Sequence, residues 1–171
     1  MSRMLDKFYG FLMFLSCVSM VLTFVSILLG VAAREFGWDI QGLDAYAGYA
    51  IAATLFLALP STLKHGDHIR VTLVMQRLPV RAKNVLEYWC LLAASALSVC
   101  LAWFACRLVW VSYVTHDVSP SADISPLWIP QLAMALGCIG FAVAFLHALW
   151  LQFVGGQFFD LPVEGELAKT E

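Results

Sequence analysis

Between Phe8 and Ala33 the sequence has no Asp, Glu, Lys or Arg. Three further stretches are almost as poor in charge: Ala45–Leu63, Tyr88–Val114 and Leu127–Phe153. The absence of charge over such lengths excludes a soluble fold, because about twenty apolar residues span a bilayer core as a helix. Only 13% of the chain is charged, 61% is hydrophobic, and mean hydropathy is +0.81. No soluble domain of 171 residues has that balance. The loops and tails left over hold too few residues for a second domain, so residues 1–171 read as one four-helix membrane domain, all-α. With a net charge of −2, nothing points to nucleic acid.

Other absences exclude chemistry. The spans hold no mid-membrane carboxylate, which an ion-coupled carrier or a small drug/proton exchanger would need. There is no Gly-rich phosphate loop and no nucleophile motif, so the chain does not read as an enzyme. Five cysteines (Cys17, Cys90, Cys100, Cys106, Cys138) form no CxxC pair and all fall inside predicted helices. They read as small packing residues rather than a disulfide framework. The first apolar run exceeds a signal-peptide core of 7–15 residues. It is expected to stay as a helix, although Ala32 and Ala33 before Arg34 offer a weak cleavage pattern.

The cations present are unevenly placed. Arg3 and Lys7 precede the first span, and Lys64, Arg70, Arg77, Arg81 and Lys83 crowd the connection between the second and third. The first connection has Arg34 against Glu35, Asp39 and Asp44; the third has only Asp117 and Asp123. The positive-inside rule then predicts both termini and the middle connection in the cytoplasm. Within that connection Val71, Val74, Met75 and Leu78 make one apolar helical face, with Arg70, Arg77 and Arg81 about a quarter-turn away. This predicts a short amphipathic interfacial helix over residues 69–83, bent or broken at Pro79, that meets anionic lipid or a partner.

Candidate sites are few. His65, Asp67 and His68 form an H-G-D-H run, but a metal site needs a third or fourth ligand of defined geometry, which no nearby motif supplies. Gly66 in that run equally suits a helix C-terminus. His68 with His147 makes a conceivable but shallow haem pair. A membrane-anchor subunit of a redox enzyme, with or without haem, is therefore the alternative reading, and a self-sufficient small carrier is a third. Trp103, Arg107 and Trp110 are spaced four and three apart and share a helix face. They read as an outer interfacial anchor with Arg107 between two indoles, or as a protein contact. Small residues four apart (Gly48 and Ala52, Ala102 and Cys106, Ala133 and Gly137, Gly140 and Ala144) suit close helix approach, either inside the bundle or against a membrane partner. Pro60 reads as a packing kink. Arg34 and Asp44 either pair across the first outer corner or stay as two loop charges.

The run Gly66-Asp-His-Ile-Arg-Val71, followed by Arg77-Leu78-Pro79 and Arg81, resembles the small Q-type membrane subunit of tripartite ATP-independent periplasmic (TRAP) transporters. Ala33-Arg34-Glu35-Phe36 is similar to that family's A-R-aromatic element, and Asp44 stands where an acid opens the second span. Glu35 replaces the usual aromatic, and Ala45 replaces the second of two acids. The resemblance implies a scaffold of the bacterial or archaeal inner membrane. It would bind a large membrane subunit, help dock a periplasmic substrate-binding protein, and support sodium-coupled symport of a small organic anion of the carboxylate class. It also implies that sodium and substrate bind in the partner, so no cofactor is expected here. Arg34 and Asp44 would fix the outer corner; His68 and Arg70 would brace the middle connection against lipid headgroups or the partner. Arg77, Arg81, Trp103, Arg107, Trp110, Gly137 and Gly140 complete the expected interface set.

Overall fold

The computed structural model describes residues 2–38, 40, 42–65, 80–119 and 124–154. Within them the chain forms four long helices: α1 (Ser2–Phe36), α2 (Leu43–Lys64), α3 (Val80–Val114) and α4 (Trp128–Val154). All four are long and apolar enough to cross a membrane. The first three contain their sequence-predicted spans and extend them, and the fourth is shifted by one residue, starting at Trp128 rather than Leu127 and ending at Val154. The largest extension is in α3, which already runs at Val80. Residues 80–83, expected at the end of an interfacial segment, form the first turn of α3, ahead of its membrane-spanning stretch Tyr88–Val114. A helix that starts immediately after a proline is what a fixed φ and a missing N–H permit. Residues 69–79 of the expected interfacial helix lie outside the described residues.

The helices form an open layer in the spatial order α1, α2, α4, α3, with α1 packed on α2, α2 on α4 and α4 on α3. The middle pair is made for close approach. On α4, Ala135, Gly137, Cys138, Gly140, Ala142, Ala144 and Ala148 are all buried. A Cβ added at Gly137 would run into the backbone carbonyl of Phe56 on α2. At Gly140 it would lie 2.6 Å from Leu12 Cδ1 of α1 and 2.9 Å from Pro60 Cγ of α2. Pro60 is itself buried within α2, so its ring fills the contact that Gly140 opens. Gly48 is different: it is exposed and a Cβ there would meet nothing, so the expected Gly48–Ala52 contact face is not used inside this chain.

Two apolar clusters hold the layer. Tyr9, Leu63, Ala144 and Ala148 join α1, α2 and α4 near the N-terminal end of α1, with Leu91 of α3 alongside. Ala105, Ala135 and Cys138 join α3 and α4, with Phe56 of α2 alongside. Polar groups in the layer bond mainly to backbone, as an apolar setting requires. Ser16 Oγ donates to the Thr54 carbonyl across α1 and α2 at 2.8 Å. On α3, Ser95 and Ser98 bond back to Leu92 and Ser95 carbonyls of their own helix. The buried hydroxyl of Tyr9 has no partner among the described residues.

The layer arrangement leaves the flanking helices open. Only 17% of the most apolar stretch of α1, and 17% of that of α3, is buried inside the protein, against 39% for α4. A lone soluble protein could not expose that much hydrocarbon; lipid or another membrane protein must cover it.

Candidate interaction surfaces

The end of the layer that holds the first and third connections is tightly built. Helix α1 closes with Trp38 N–H donating to the Ala33 carbonyl at 2.8 Å and Gly37 N–H to Arg34 at 3.4 Å. Gly37, at φ 67°, takes the left-handed position that such a Schellman closure needs. Trp38 then stacks on Phe36 at 5.3 Å between ring centroids. Gly42, at φ 85°, opens α2, and its carbonyl accepts from Ala45 and Tyr46 N–H groups. These two glycines turn the chain so that Arg34 Nη2 donates to both carboxylate oxygens of Asp44, at 2.9 and 3.2 Å. The side chains are 72% and 86% exposed, so the pair fixes a corner rather than holding the fold.

The third connection repeats the device with less glycine. His116, at φ 53°, closes α3 while Asp117 N–H donates to the Ser112 carbonyl. A short bridge between Val118 and Pro126 follows, with Leu127 N–H bonded to the Asp117 carbonyl and Ser119 N–H to that of Ser125. Tyr49 on α2 donates its hydroxyl to Ser119 Oγ at 2.7 Å. The bond ties the third connection to the second helix, so the two connections are mounted on one support. Asp44 and Asp117 stand exposed on it.

The opposite end is pinned by contacts that the sequence reading missed. Lys64 Nζ bonds Asp6 Oδ1 at 2.9 Å, tying the start of α1 to the end of α2. Tyr88 donates to the Gln152 carbonyl at 3.0 Å and its ring meets Phe153, tying the start of the third span to the end of the fourth. The signal for the first was available: antiparallel spans bring residue 6 to the level of residue 64, and the charges are opposite. His65 follows Lys64, and its Nδ1 lies 2.8 Å from the Ser61 carbonyl oxygen at the end of α2. His68, Arg70 and Arg77 lie outside the described residues. Arg81 belongs to α3 by its backbone, and its side chain is outside the description too.

Along α3 two stripes run on opposite sides. Ser95, Ser98, Ala102, Ala105, Val109 and Ser112 face into the layer. Trp103, Arg107 and Trp110 all face out of it, with Trp103 and Trp110 70% and 68% exposed. They share one face, as their spacing predicts, but Arg107 has no carboxylate partner among the described residues and the two indoles make no ring contact there. Sequence reading put Trp103 at the outer interface. The rings of Tyr113 and Trp128 meet edge-on at 5.8 Å and mark that level. Trp103 lies ten residues before Tyr113, about 15 Å deeper along the helix.

Among the described residues no three His, Cys, Asp or Glu side chains converge as a metal would require. What the architecture offers is a structured end, two open apolar flanks and a close-packed middle. Comparison with known proteins agrees. The family described as tripartite ATP-independent periplasmic transporters, DctQ component, matches residues 23–155, from the middle of α1 to just past the end of α4. No individual curated protein matches the chain significantly. The match spans most of the sequence and all but the first part of the helical layer, so this chain belongs to the DctQ family: it is the small membrane subunit of a TRAP transporter, a multi-pass protein of the inner membrane and not an enzyme.

Proposed function

We propose that the chain is a scaffold that binds the large membrane subunit, broadens its fixed part in the bilayer and helps dock the periplasmic binding protein. The tripartite family implies both partners. The observation that carries the scaffold role is the contrast between the interior and the flanks. No carboxylate lies within the spans, and α4 approaches α2 through Gly137 and Gly140, against Phe56 and Pro60. A carrier moving sodium and an organic anion needs ionisable or backbone ligands near the midplane. The lack of a carboxylate within the spans supports the reading that sodium and the substrate, a small carboxylate by family resemblance, bind in the large subunit.

Orientation follows from the cation bias, with both termini and the basic middle connection in the cytoplasm. The built end carrying Arg34–Asp44 and the Val118–Pro126 bridge then faces the periplasm, where a binding protein approaches. The middle connection, with His68, Arg70, Arg77 and Arg81, lies against anionic headgroups or the cytoplasmic side of the large subunit.

Uptake into proteoliposomes tests the reading. Vesicles with both membrane subunits, the binding protein and a sodium gradient should accumulate substrate, and vesicles with this chain alone should not. Uptake by this chain alone would contradict the scaffold role.

A further inference from the structure

Taken as the two interfacial levels, the aromatic ends of α3 set the depth of its outward face. Tyr88, bonded to Gln152, and Tyr113, stacked edge-on with Trp128, are the aromatic levels at its two ends. They are twenty-five residues apart, about 38 Å at the rise of an α-helix. A hydrocarbon core of about 30 Å then begins roughly 4 Å inside each level. Arg107, six residues from Tyr113, lies about 9 Å below that level, inside the hydrocarbon edge. Trp103, about 15 Å below it, lies near the middle of the membrane.

Both side chains point away from α4, on a face that also carries Trp89, Ala96, Cys100 and Trp110. Lipid tails do not explain this face. Tryptophan suits the headgroup level, where its N–H finds an acceptor. An indole N–H can only donate, and among acyl chains it has nothing to donate to. Arg107 could extend toward a lipid phosphate. Trp103 is too deep for the same escape. A neighbouring helix satisfies both, because it can bring an acceptor to mid-membrane depth and a carboxylate to the arginine. Exposed Ala96 and Cys100 beside Trp103 leave room for such a helix to approach.

We infer that the outward face of α3, centred on Trp103 and Arg107, is the seat of the large membrane subunit, which presents a carboxylate at the depth of Arg107 and a hydrogen-bond acceptor at that of Trp103. The inference rests on the scaffold reading and adds the face and the recognition chemistry to it. The same geometry leaves α1 to lipid: from Phe8 to Ala33 it carries no charge and no tryptophan.

The test is photo-cross-linking in the intact complex, pulled down through a tag on this chain. Benzoylphenylalanine in place of Trp103 should form an adduct with the large subunit, whereas the same group in place of Leu22 on α1 should label lipid. Arg107→Glu should reduce recovery of the large subunit at least about 30-fold, the size expected for removing one partner of a desolvated charge pair. Arg107→Lys should keep part of it. Melting of the full chain in detergent should be unchanged in both variants, since Arg107 has no ion-pair partner among the described residues. Adducts from position 103 that contain only lipid, or a second copy of this chain, would overturn the inference while the scaffold reading stands. So would normal recovery with Arg107→Glu. A wild-type pull-down without any large subunit would overturn the scaffold reading, and this inference with it.

Discussion

Helices α1 and α3 are matched in almost every gross respect. Each has 35 residues, each flanks the layer, and each buries the same small share of its most apolar stretch. Their outward faces are chemically unlike. That of α1 is hydrocarbon and aromatic, with Phe11, Phe14, Leu22 and Phe24 exposed and no formal charge in reach. That of α3 sets Trp103, Arg107 and Trp110 among smaller residues. Exposure alone therefore does not say what covers a membrane helix. The depth of polar atoms on the exposed face does, because lipid tails offer neither acceptor nor counter-charge.

The comparison breaks most completely if the layer that carries both flanks comes apart. Gly137→Ala places a Cβ against the backbone of Phe56, which cannot move without shifting α2. It should destabilise the chain by about 3 kcal/mol, and thermal denaturation in detergent measures it. Gly140→Ala meets the flexible end of Leu12 and the ring of Pro60, and should cost less, about 1–2 kcal/mol. If both variants melt like wild type, the α2–α4 contact does not set the layer.

Sharper still is the flank-to-flank exchange. Trp103→Leu on α3 should weaken association with the large subunit about tenfold or more, as loss of a buried tryptophan anchor does. Phe14→Leu and Phe24→Leu on α1 should change it less than about twofold, as near-neutral positions do. Quantified pull-downs decide between them, and equal effects on the two helices would erase the distinction.

Smaller effects are expected at the built end, which serves neither flank. Tyr49→Phe removes the bond to Ser119 and should lower stability by about 1 kcal/mol. Either Arg34→Ala or Asp44→Ala should cost about 0.5 kcal/mol or less, because the pair is exposed. The charge-swapped double variant should restore whatever the single changes take from complex assembly. No recovery would mean that the two residues act separately.

Much of the fold was legible because a bilayer imposes it. A run such as Phe8–Ala33 has one stable outcome in lipid, a helix. Helix ends were harder. A break at Pro79 leading into the third span is legible, and α3 does begin at Val80, but the sequence does not show that Val80–Lys83 is continuous with the spanning helix. Pairing at the corners was half legible. Arg34 and Asp44 read as candidate partners because a short connection joins them. Asp6 and Lys64 lie far apart in sequence, and their pairing is legible only by setting the ends of two antiparallel neighbours at one level. Depth was least legible. The predicted span Tyr88–Val114 ends where α3 ends, but Trp103, Arg107 and Trp110 read together as an outer anchor, and the Tyr113–Trp128 contact puts the outer level ten residues beyond Trp103. The basic run with His68, Arg70 and Arg77 was the strongest family signal in the sequence, and it lies outside the described residues.

Native mass spectrometry of the assembly extracted through a tag on this chain tests the central claim most directly. The scaffold account predicts one copy of this chain bound to one copy of a much larger membrane subunit, with the lone chain a minor species. A stable monomer or homo-oligomer of this chain, with no second subunit, would contradict it.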